Sequence, residues 1–120
     1  MKNGKKVLII ENDELITIVL RTFLEKMGYS VIESTTTGED AIQIALSNYP
    51  DIILSDIVLN GTLTGIETVK EIQKAVNADV IYMTNYTDPK YRRDAAETNY
   101  LDYLLKPITF HTLKRVLDNR

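Results

Sequence analysis

Ile52-Ile53-Leu54-Ser55-Asp56 is the stretch of this 120-residue sequence that most directly indicates its fold. A short aliphatic run of this kind is typical of a strand buried on both faces of a parallel sheet. The run ends in a carboxylate, and placing an unpaired charge beside an apolar core is unfavourable. A buried strand that ends in this way usually directs the acid toward chemistry, so Asp56 is the first candidate functional residue.

Segments of helical period alternate with this strand and with four similar ones. The predicted strands cover residues 7–10, 29–33, 52–55, 80–83 and 101–105, and the second, which is less aliphatic, is expected at an edge. Apolar residues at intervals of three and four predict helices over 16–27, 42–49, 66–76 and 110–117, with a polar helix over about 88–98. The alternation predicts an α/β fold, a doubly wound five-stranded parallel sheet with helices on both faces.

Some details of these elements are also predicted. The apolar faces of the first two helices include Val19 in the first and Leu46 and Tyr49 in the second. Residues 57–65, with Gly61 and Gly65, are interpreted as a loop after the third strand.

Polar side chains follow the ends of four strands. They are Glu11-Asn12-Asp13, Asp56, Thr84 and Lys106-Pro107. In open parallel sheets, ligands bind beyond the carboxyl ends of the strands, where the strand order reverses. For the order 2-1-3-4-5 this point lies between the first and third strands, which end beside Glu11 and Asp56. The motifs and the topology therefore indicate a single site.

The residue types at this site suit phosphoryl transfer. Two carboxylates and the Asn12 amide oxygen are hard ligands of the kind that Mg²⁺ prefers. A carboxylate such as Asp56 can also attack phosphorus and form an aspartyl phosphate. The reaction needs positive charge and hydrogen-bond donors around the transferred oxygens, which Lys106 and Thr84 can supply.

The same motifs resemble those of two-component response-regulator receiver domains. The likeness rests on Val7-Leu-Ile-Ile-Glu-Asn-Asp-Glu14, on Ile53-Leu-Ser-Asp-Ile-Val-Leu-Asn-Gly61 with Gly65-Ile-Glu67, on Ile81-Tyr-Met-Thr84 and on Tyr103-Leu-Leu-Lys-Pro107. It extends over nearly the whole chain. The resemblance implies a flavodoxin-like (βα)5 fold and a phosphorelay signalling switch, in which Asp56 accepts a phosphoryl group from a histidine kinase in a Mg²⁺-dependent reaction.

The resemblance also implies roles for the residues around Asp56. Lys106 would contact the phosphoryl group, and Lys106–Pro107 would be a cis peptide, which a proline tolerates. Mg²⁺ would be held by Glu11, Asn12, Asp56 and the main-chain carbonyl of Val58.

Thr84 and Tyr103 would form a switch pair, in which the hydroxyl moves toward the phosphate and the aromatic ring turns inward. The surface of the fourth helix, fifth strand and fifth helix would then bind a downstream effector domain or protein. The implied phosphodonor is a sensor histidine kinase or a phosphotransfer protein, and a homodimer is left open. Arg92-Arg93 on the fourth helix is either a solvated face or part of a partner surface.

The chain departs from the family pattern at a few positions. Asn12 stands where receivers commonly carry a second acid, so Mg²⁺ is expected to bind more weakly than in two-acid receivers, while phosphorylation survives. Asp13 is expected to cap the first helix instead of binding metal. Val58 and Tyr86 occupy the two positions that tune the lifetime of the phosphoryl group in this family, and they predict slow autodephosphorylation.

Composition narrows the remaining possibilities. A chain of 120 residues is expected to be one domain, here a receiver domain over 1–120 with no effector domain in view. No apolar stretch is long enough to span a bilayer, and cysteine is absent, so no membrane partner and a cytoplasmic location are expected. The net charge of −3 argues against direct nucleic-acid binding.

These residues also bear on three alternative functions. A pseudo-receiver that binds proteins without being phosphorylated is favoured by Asn12 and opposed by Asp56, Thr84 and Lys106. An aspartyl-phosphate phosphatase would need a second acid where Val58 stands. A flavin-binding module is disfavoured because the acidic loop after the first strand would repel the cofactor phosphate. We therefore expect a switch and not an enzyme, apart from its own phosphorylation and autodephosphorylation.

Overall fold

The computed structural model describes residues 4–85 and 89–119 as five strands and five helices that alternate along the chain. The strands are β1 (Lys6–Ile10), β2 (Ser30–Thr35), β3 (Ile52–Asp56), β4 (Asp79–Thr84) and β5 (Asp102–Leu105). The helices are α1 (Glu14–Lys26), α2 (Gly38–Asn48), α3 (Gly65–Gln73), α4 (Pro89–Ala95) and α5 (Phe110–Asp118).

The strands form one parallel sheet in the order β2-β1-β3-β4-β5. This confirms the predicted α/β fold, the strand order and the edge position of β2. Ile10 of β1 is paired with Ser55 of β3, so the next residue of each chain segment, Glu11 and Asp56, reaches the same edge of the sheet. The topological switch point therefore lies between these two acids.

Alternate residues of the buried strands pack into two apolar layers. Leu8 and Ile53 face the layer formed with α2, α3 and α4, and Val7 and Leu54 face the layer formed with α1 and α5. The sheet is thus covered on both faces, which explains why its central strands are nearly continuous runs of aliphatic residues.

Polar caps begin the helices near the carboxyl edge of the sheet. The Asp13 side chain accepts hydrogen bonds from the first turn of α1, which confirms its predicted capping role. Thr37 and Thr109 cap α2 and α5, and Thr64 forms a capping box with Glu67 at the start of α3. Each cap fixes the residue at which a loop at this edge of the sheet ends and the following helix begins.

Several predicted details were wrong. Val19, Leu46 and Tyr49 are exposed, by 46%, 41% and 60%, instead of facing the core. In α2 the buried positions are held by the smaller Ala41 and Ala45, which allow the helix to lie close to the sheet. Tyr49 lies beyond the last residue of α2 in the left-handed conformation, so helical spacing no longer determines its direction.

Two boundaries also differ from the prediction. Gly65 is the first residue of α3 and not the end of a loop. The fourth helix ends at Ala95, three residues before the predicted limit, where the Thr98 hydroxyl donates to the Ala95 carbonyl. Among the residues that the structure describes, we find no helix with the length and apolar character needed to cross a membrane.

Candidate functional site

One ammonium group lies between two carboxylates at the switch point of the sheet. Lys106 Nζ is 2.7 Å from Glu11 Oε2 and 2.9 Å from Asp56 Oδ2. The three side chains are almost fully buried, although they come from the ends of β1 and β3 and from the segment after β5. The structure therefore brings together three of the residues that the sequence placed in one site.

Local contacts fix the direction of the Asp56 carboxylate. Its Oδ1 atom accepts a hydrogen bond of 2.7 Å from the Ile57 N–H, which leaves Oδ2 for Lys106. The Ser55 hydroxyl donates to the Asp56 carbonyl at 2.8 Å. A Cβ atom at Gly65 would lie 1.9 Å from the same carbonyl oxygen, so only glycine permits α3 to begin directly against this residue.

Glu11 is oriented by the loop that begins α1. Its Oε1 atom accepts from the Asp13 N–H at 3.1 Å, while Asp13 Oδ1 accepts from Leu15 N at 2.9 Å and Ile16 N at 3.3 Å. The Asp13 carboxylate thus accepts hydrogen bonds from the first turn of α1. Glu11 is left with Oε2 directed at Lys106.

The charges of this cluster perturb one another. Burial, followed by the neighbouring charge of Asp56, raises the pKa of Glu11, and the bond from Lys106 only partly offsets the increase. Burial alone would lower the pKa of Lys106, but its hydrogen bonds to Glu11 and Asp56 outweigh that effect and raise it. One cation therefore serves two buried anions, and the cluster retains an unbalanced negative charge.

An open cleft of about 460 Å³ lies beside the cluster and is lined by Glu11, Asn12, Asp13, Glu14, Ile16, Asp56, Asn85 and Lys106. Over residues 4–85 and 89–119, no group of three or more His, Cys, Asp or Glu side chains could hold a metal ion. Two carboxylates with an amide oxygen nevertheless suit Mg²⁺, which keeps several waters and needs one or two carboxylates. The donor set and its negative charge fit that ion.

Both predicted switch residues are buried. Thr84 is fully buried at the end of β4, opposite Leu105. The Tyr103 ring is buried against Tyr82, with ring centres 6.2 Å apart, and the Arg92 guanidinium lies 4.7 Å from its centre. Its ring thus already occupies an inward position in this structure.

Val58 and Tyr86 are the two positions predicted to tune the lifetime of the phosphoryl group. Val58 follows β3 and its side chain is 40% exposed, while Tyr86 lies outside the described residues. The Lys106–Pro107 peptide is cis, as expected.

An apolar groove of about 340 Å³ adjoins the acidic cleft. It is lined by Leu15, Ile16, Val19, Leu20, Asn85, Lys106, Pro107 and Ile108. Ile16, Asn85 and Lys106 border both spaces. Sequence reasoning missed Asn85, although its place directly after Thr84 at a strand end was a usable indication, and it missed Arg92 as a neighbour of Tyr103.

Comparison with known sequences identifies the family. The sequence profile of the response regulator receiver domain matches residues 7–118. The chain belongs to this family. The match confirms the family and the signalling class that the motifs indicated.

Individual receiver-containing proteins support the assignment. A probable C4-dicarboxylate response regulator, DctR, of Halalkalibacterium halodurans is 34% identical over 114 residues, which cover 93% of this chain. The chain spans 49% of that relative's length. The chemotaxis protein CheY of Thermotoga maritima is 30% identical over 105 residues, with 87% of each protein covered.

A solved structure agrees closely with this receiver domain. The signal receiver domain of a modulated diguanylate cyclase from Desulfovibrio desulfuricans G20 is 35% identical and superposes with a TM-score of 0.91. The alignment covers 98% of this chain and 93% of that one. The DctR and CheY relatives are signalling proteins of two-component systems and not conventional enzymes, and the comparisons give no support to the pseudo-receiver alternative.

Proposed function

We propose that this receiver domain is a phosphorelay switch whose Asp56 accepts a phosphoryl group from the phosphohistidine of a sensor histidine kinase or phosphotransfer protein. The observation that carries the proposal is the contact of Lys106 Nζ with both Asp56 and Glu11 beside an open acidic cleft. This arrangement supports the proposal, because Asp56 could serve as the nucleophile, Lys106 as the cation for the transferred oxygens and Glu11 as the acid that binds Mg²⁺.

The chemistry follows from the directions of these groups. Asp56 Oδ2 would attack phosphorus in line, the donor's P–N bond would break, and the imidazole would leave with the electron pair. Lys106 would then pair with the phosphoryl oxygens. Glu11, Asn12, Asp56 and the Val58 carbonyl would hold Mg²⁺, which supplies further positive charge at those oxygens.

Asn12 is proposed to weaken Mg²⁺ binding relative to a receiver with two acids at this position. Asn12→Asp should lower the Mg²⁺ dissociation constant about fivefold to tenfold, because the added charge is partly offset by repulsion from Glu11 and Asp56. Calorimetric titration of both proteins with Mg²⁺ measures the difference. Equal affinities would contradict the proposal.

The phosphoryl group is proposed to be long-lived. Val58, two residues after Asp56, is partly exposed and has no polar side-chain group with which to position an attacking water. Val58→Asn should therefore shorten the lifetime of the phosphorylated form. The decay of the adduct after removal of the phosphodonor measures that lifetime.

The proposed output follows from the position of the switch residues. The Thr84 hydroxyl would move toward the phosphoryl group and stabilise the inward position that the Tyr103 ring already occupies, and the surface of α4, β5 and α5 would change for an effector domain or protein. The apolar groove shares Asn85 and Lys106 with the acidic cleft, so a donor that reaches Asp56 would cover it. A cytoplasmic location and the absence of direct nucleic-acid contact are parts of this proposal, which leaves a homodimer open.

Acetyl phosphate with Mg²⁺ provides the decisive experiment. Intact mass should show a single phosphoryl adduct that Asp56→Ala abolishes, that Asp40→Ala retains, and that chelation of Mg²⁺ prevents. The Asp40 control removes an exposed acid elsewhere on the domain. If no adduct forms at any Mg²⁺ concentration, the domain is a pseudo-receiver.

A further inference from the structure

The loop that follows the phosphoacceptor is held by a side chain from another helix. Glu39 lies in the first turn of α2, and its Oε2 atom accepts from the Thr62 hydroxyl at 2.8 Å and from the Thr62 N–H at 3.3 Å. Thr62 lies in the segment 57–64 between β3 and α3. Glu39 and Thr62 are 23 residues apart in the sequence, so these contacts join two parts of the chain that local structure does not bring together.

Gly61 allows this approach. Its φ angle is +86°, and a Cβ atom there would lie 3.0 Å from Glu39 Oε1. A side chain at this position would be strained by the backbone conformation and would press against the carboxylate. The glycine therefore lets Glu39 reach over the loop to Thr62.

The backbone adds a second connection between the same two parts. The Asn60 N–H donates to the Thr36 carbonyl at 3.2 Å, and Thr37 forms an isolated bridge with Asn60. At the start of the loop, the Ile57 carbonyl accepts from the Gly65 N–H at 2.7 Å. Val58 is thus located between an anchored residue at 57 and a segment at 60–62 that is anchored to α2 and to the two residues before it.

We propose that Glu39 is a positioning residue for the phosphorylation site, which holds the loop 57–64 and thereby sets the place of the Val58 main-chain carbonyl for Mg²⁺. The inference rests on the proposed function, in which that carbonyl is a metal ligand. Glu39 itself does not line the acidic cleft. Its effect is transmitted through Thr62 and the loop backbone.

A carboxylate suits this task because hydrogen bonds to a charged acceptor are stronger than neutral ones. The Thr62 hydroxyl, and to a smaller extent backbone N–H groups, hold the pKa of Glu39 below its usual range, as expected of a carboxylate that is bonded in its charged form. Residues that orient metal ligands typically change metal affinity by 10- to 100-fold when removed. A smaller change is expected here, because the Asn60 contacts remain.

The test compares Mg²⁺ binding by calorimetry in the 120-residue chain and its variants. Glu39→Ala and Thr62→Val should each raise the Mg²⁺ dissociation constant about threefold to fivefold, of the order of one hydrogen bond. The double variant should add little to either single one. Glu39→Gln should recover most of the affinity, because its amide oxygen can still accept from Thr62.

Asp40→Ala is the matched control. Asp40 is the next residue of the same helical turn and carries the same charge, but Thr62 is bonded to Glu39. Its removal should leave the Mg²⁺ dissociation constant unchanged within about twofold, since only long-range charge is altered. An equal effect of Asp40→Ala and Glu39→Ala would overturn the proposal and indicate a simple charge effect.

Phosphorylation by acetyl phosphate gives an independent measurement. In Glu39→Ala, saturating Mg²⁺ should restore the wild-type rate, because only the affinity for Mg²⁺ is changed. A variant with a damaged fold would keep a lower rate at saturation. If wild type binds Mg²⁺ and Glu39→Ala binds it equally well, the positioning role is refuted while the proposed function stands. If wild type neither binds Mg²⁺ nor becomes phosphorylated, both proposals fail.

Discussion

Helices α3 and α4 lie on the same face of the sheet, yet they are held in different ways. Five residues of α3 are buried, and its first turn is closed by the capping box of Thr64 and Glu67. Of the described residues of α4, Ala95 alone is buried. The position of α3 is therefore determined by its buried residues, whereas the position of α4 depends on contacts at the protein surface.

The surface contacts of α4 and of the segment that follows it are polar and aromatic. Arg92 covers the Tyr103 ring, and the segment after α4 is joined to α3 by the Lys70–Glu97 ion pair. The Gln73 side chain also bonds to the backbone of Asn99, as a donor at 2.7 Å and as an acceptor at 3.2 Å. Contacts of these kinds are individually weak, so α4 can shift at a smaller free-energy cost than α3. The part of the domain that holds Asp56 is firmly packed, and α4, one element of the proposed output surface, is expected to be the more adjustable helix.

Among the substitutions that test this comparison, Gly65→Ala is expected to lower the free energy of unfolding most. The new methyl group would meet the Asp56 carbonyl at 1.9 Å and Ser55 Oγ at 2.7 Å, so α3 would have to move away from the acceptor strand. We expect the free energy of unfolding to fall by about 3 kcal/mol or more, at the upper end for overpacked sites. Urea unfolding measures the change.

Lys90→Ala in α4 is the matched control, because it changes an exposed side chain on the adjustable helix. Its effect should stay within about 0.5 kcal/mol, as for most surface substitutions. If Gly65→Ala were as mild as this control, α3 would not be packed against Asp56 in the way described.

Lys106→Met should produce the next largest effect, because it leaves Glu11 and Asp56 without their shared cation. Removing one partner of a fully buried pair costs about 3 to 5 kcal/mol, and the neighbouring cleft reduces this to about 2 to 3 kcal/mol. Urea unfolding at neutral pH, with Mg²⁺ chelated, measures the loss. A loss below that of the Lys90 control would show that the buried charges do not depend on Lys106.

The pH dependence of that loss has a definite sign. The pKa of Glu11 is raised in the folded protein, so between 4.5 and this raised pKa the folded state holds a proton on Glu11 that the unfolded state has lost. The stability contributed by Glu11 therefore falls as pH rises through this window. The contribution of Lys106 is complete below its ordinary value of 10.5 and is lost as pH rises through its raised pKa. The difference between wild type and Lys106→Met should therefore be largest at neutral to mildly alkaline pH and should narrow toward both extremes.

The sequence was sufficient for the parts of the fold that local pattern controls. Strand positions agree within two residues, because runs such as 52–54 are entirely aliphatic. The meeting of Glu11, Asp56 and Lys106 was also predictable, since parallel strands end at one edge. Their roles in phosphoryl transfer remain proposals.

Features that depend on tertiary packing were not predictable in the same way. Val19 and Leu46 fit a helical period, but the rotation of each helix on the sheet leaves them exposed. The contact of Arg92 with Tyr103 joins residues of α4 and β5, and no local pattern relates them. Such contacts are concentrated around α4, the helix with the fewest buried residues to fix its direction.

Tyr82→Phe tests a contact beneath α4 and should have a smaller effect. The Thr98 hydroxyl donates to the Ala95 carbonyl at 2.7 Å, so the Tyr82 hydroxyl, 2.8 Å away, is the donor to Thr98. Its loss should lower the free energy of unfolding by about 1 kcal/mol, the net value of one hydrogen bond. Tyr49→Phe, at an exposed tyrosine, should change little.

Alkaline titration provides a second measurement of Tyr82. Burial raises the pKa of this tyrosine from 10.0 to about 12. The folded state retains the proton, so stability falls as pH rises from 10.0 toward about 12. In Tyr82→Phe this part of the decrease should be missing, and tyrosine absorbance should show one fewer late ionisation. An unchanged titration would contradict the assignment.

Arg92→Ala should have the smallest effect on stability and the most direct effect on the adjustable region. A guanidinium 4.7 Å from the centre of the Tyr103 ring contributes about 0.5 to 1 kcal/mol. Removing it should shift the Tyr103 ring resonances in NMR spectra, whereas Arg93→Ala, the adjacent exposed arginine, should not. Phosphorylation of Asp56 by acetyl phosphate should keep its wild-type rate, because α3 and Lys106 still hold the acceptor. If Arg92→Ala destabilised the domain as much as Gly65→Ala, α4 would be fixed as firmly as α3, and the distinction between the two regions would be wrong.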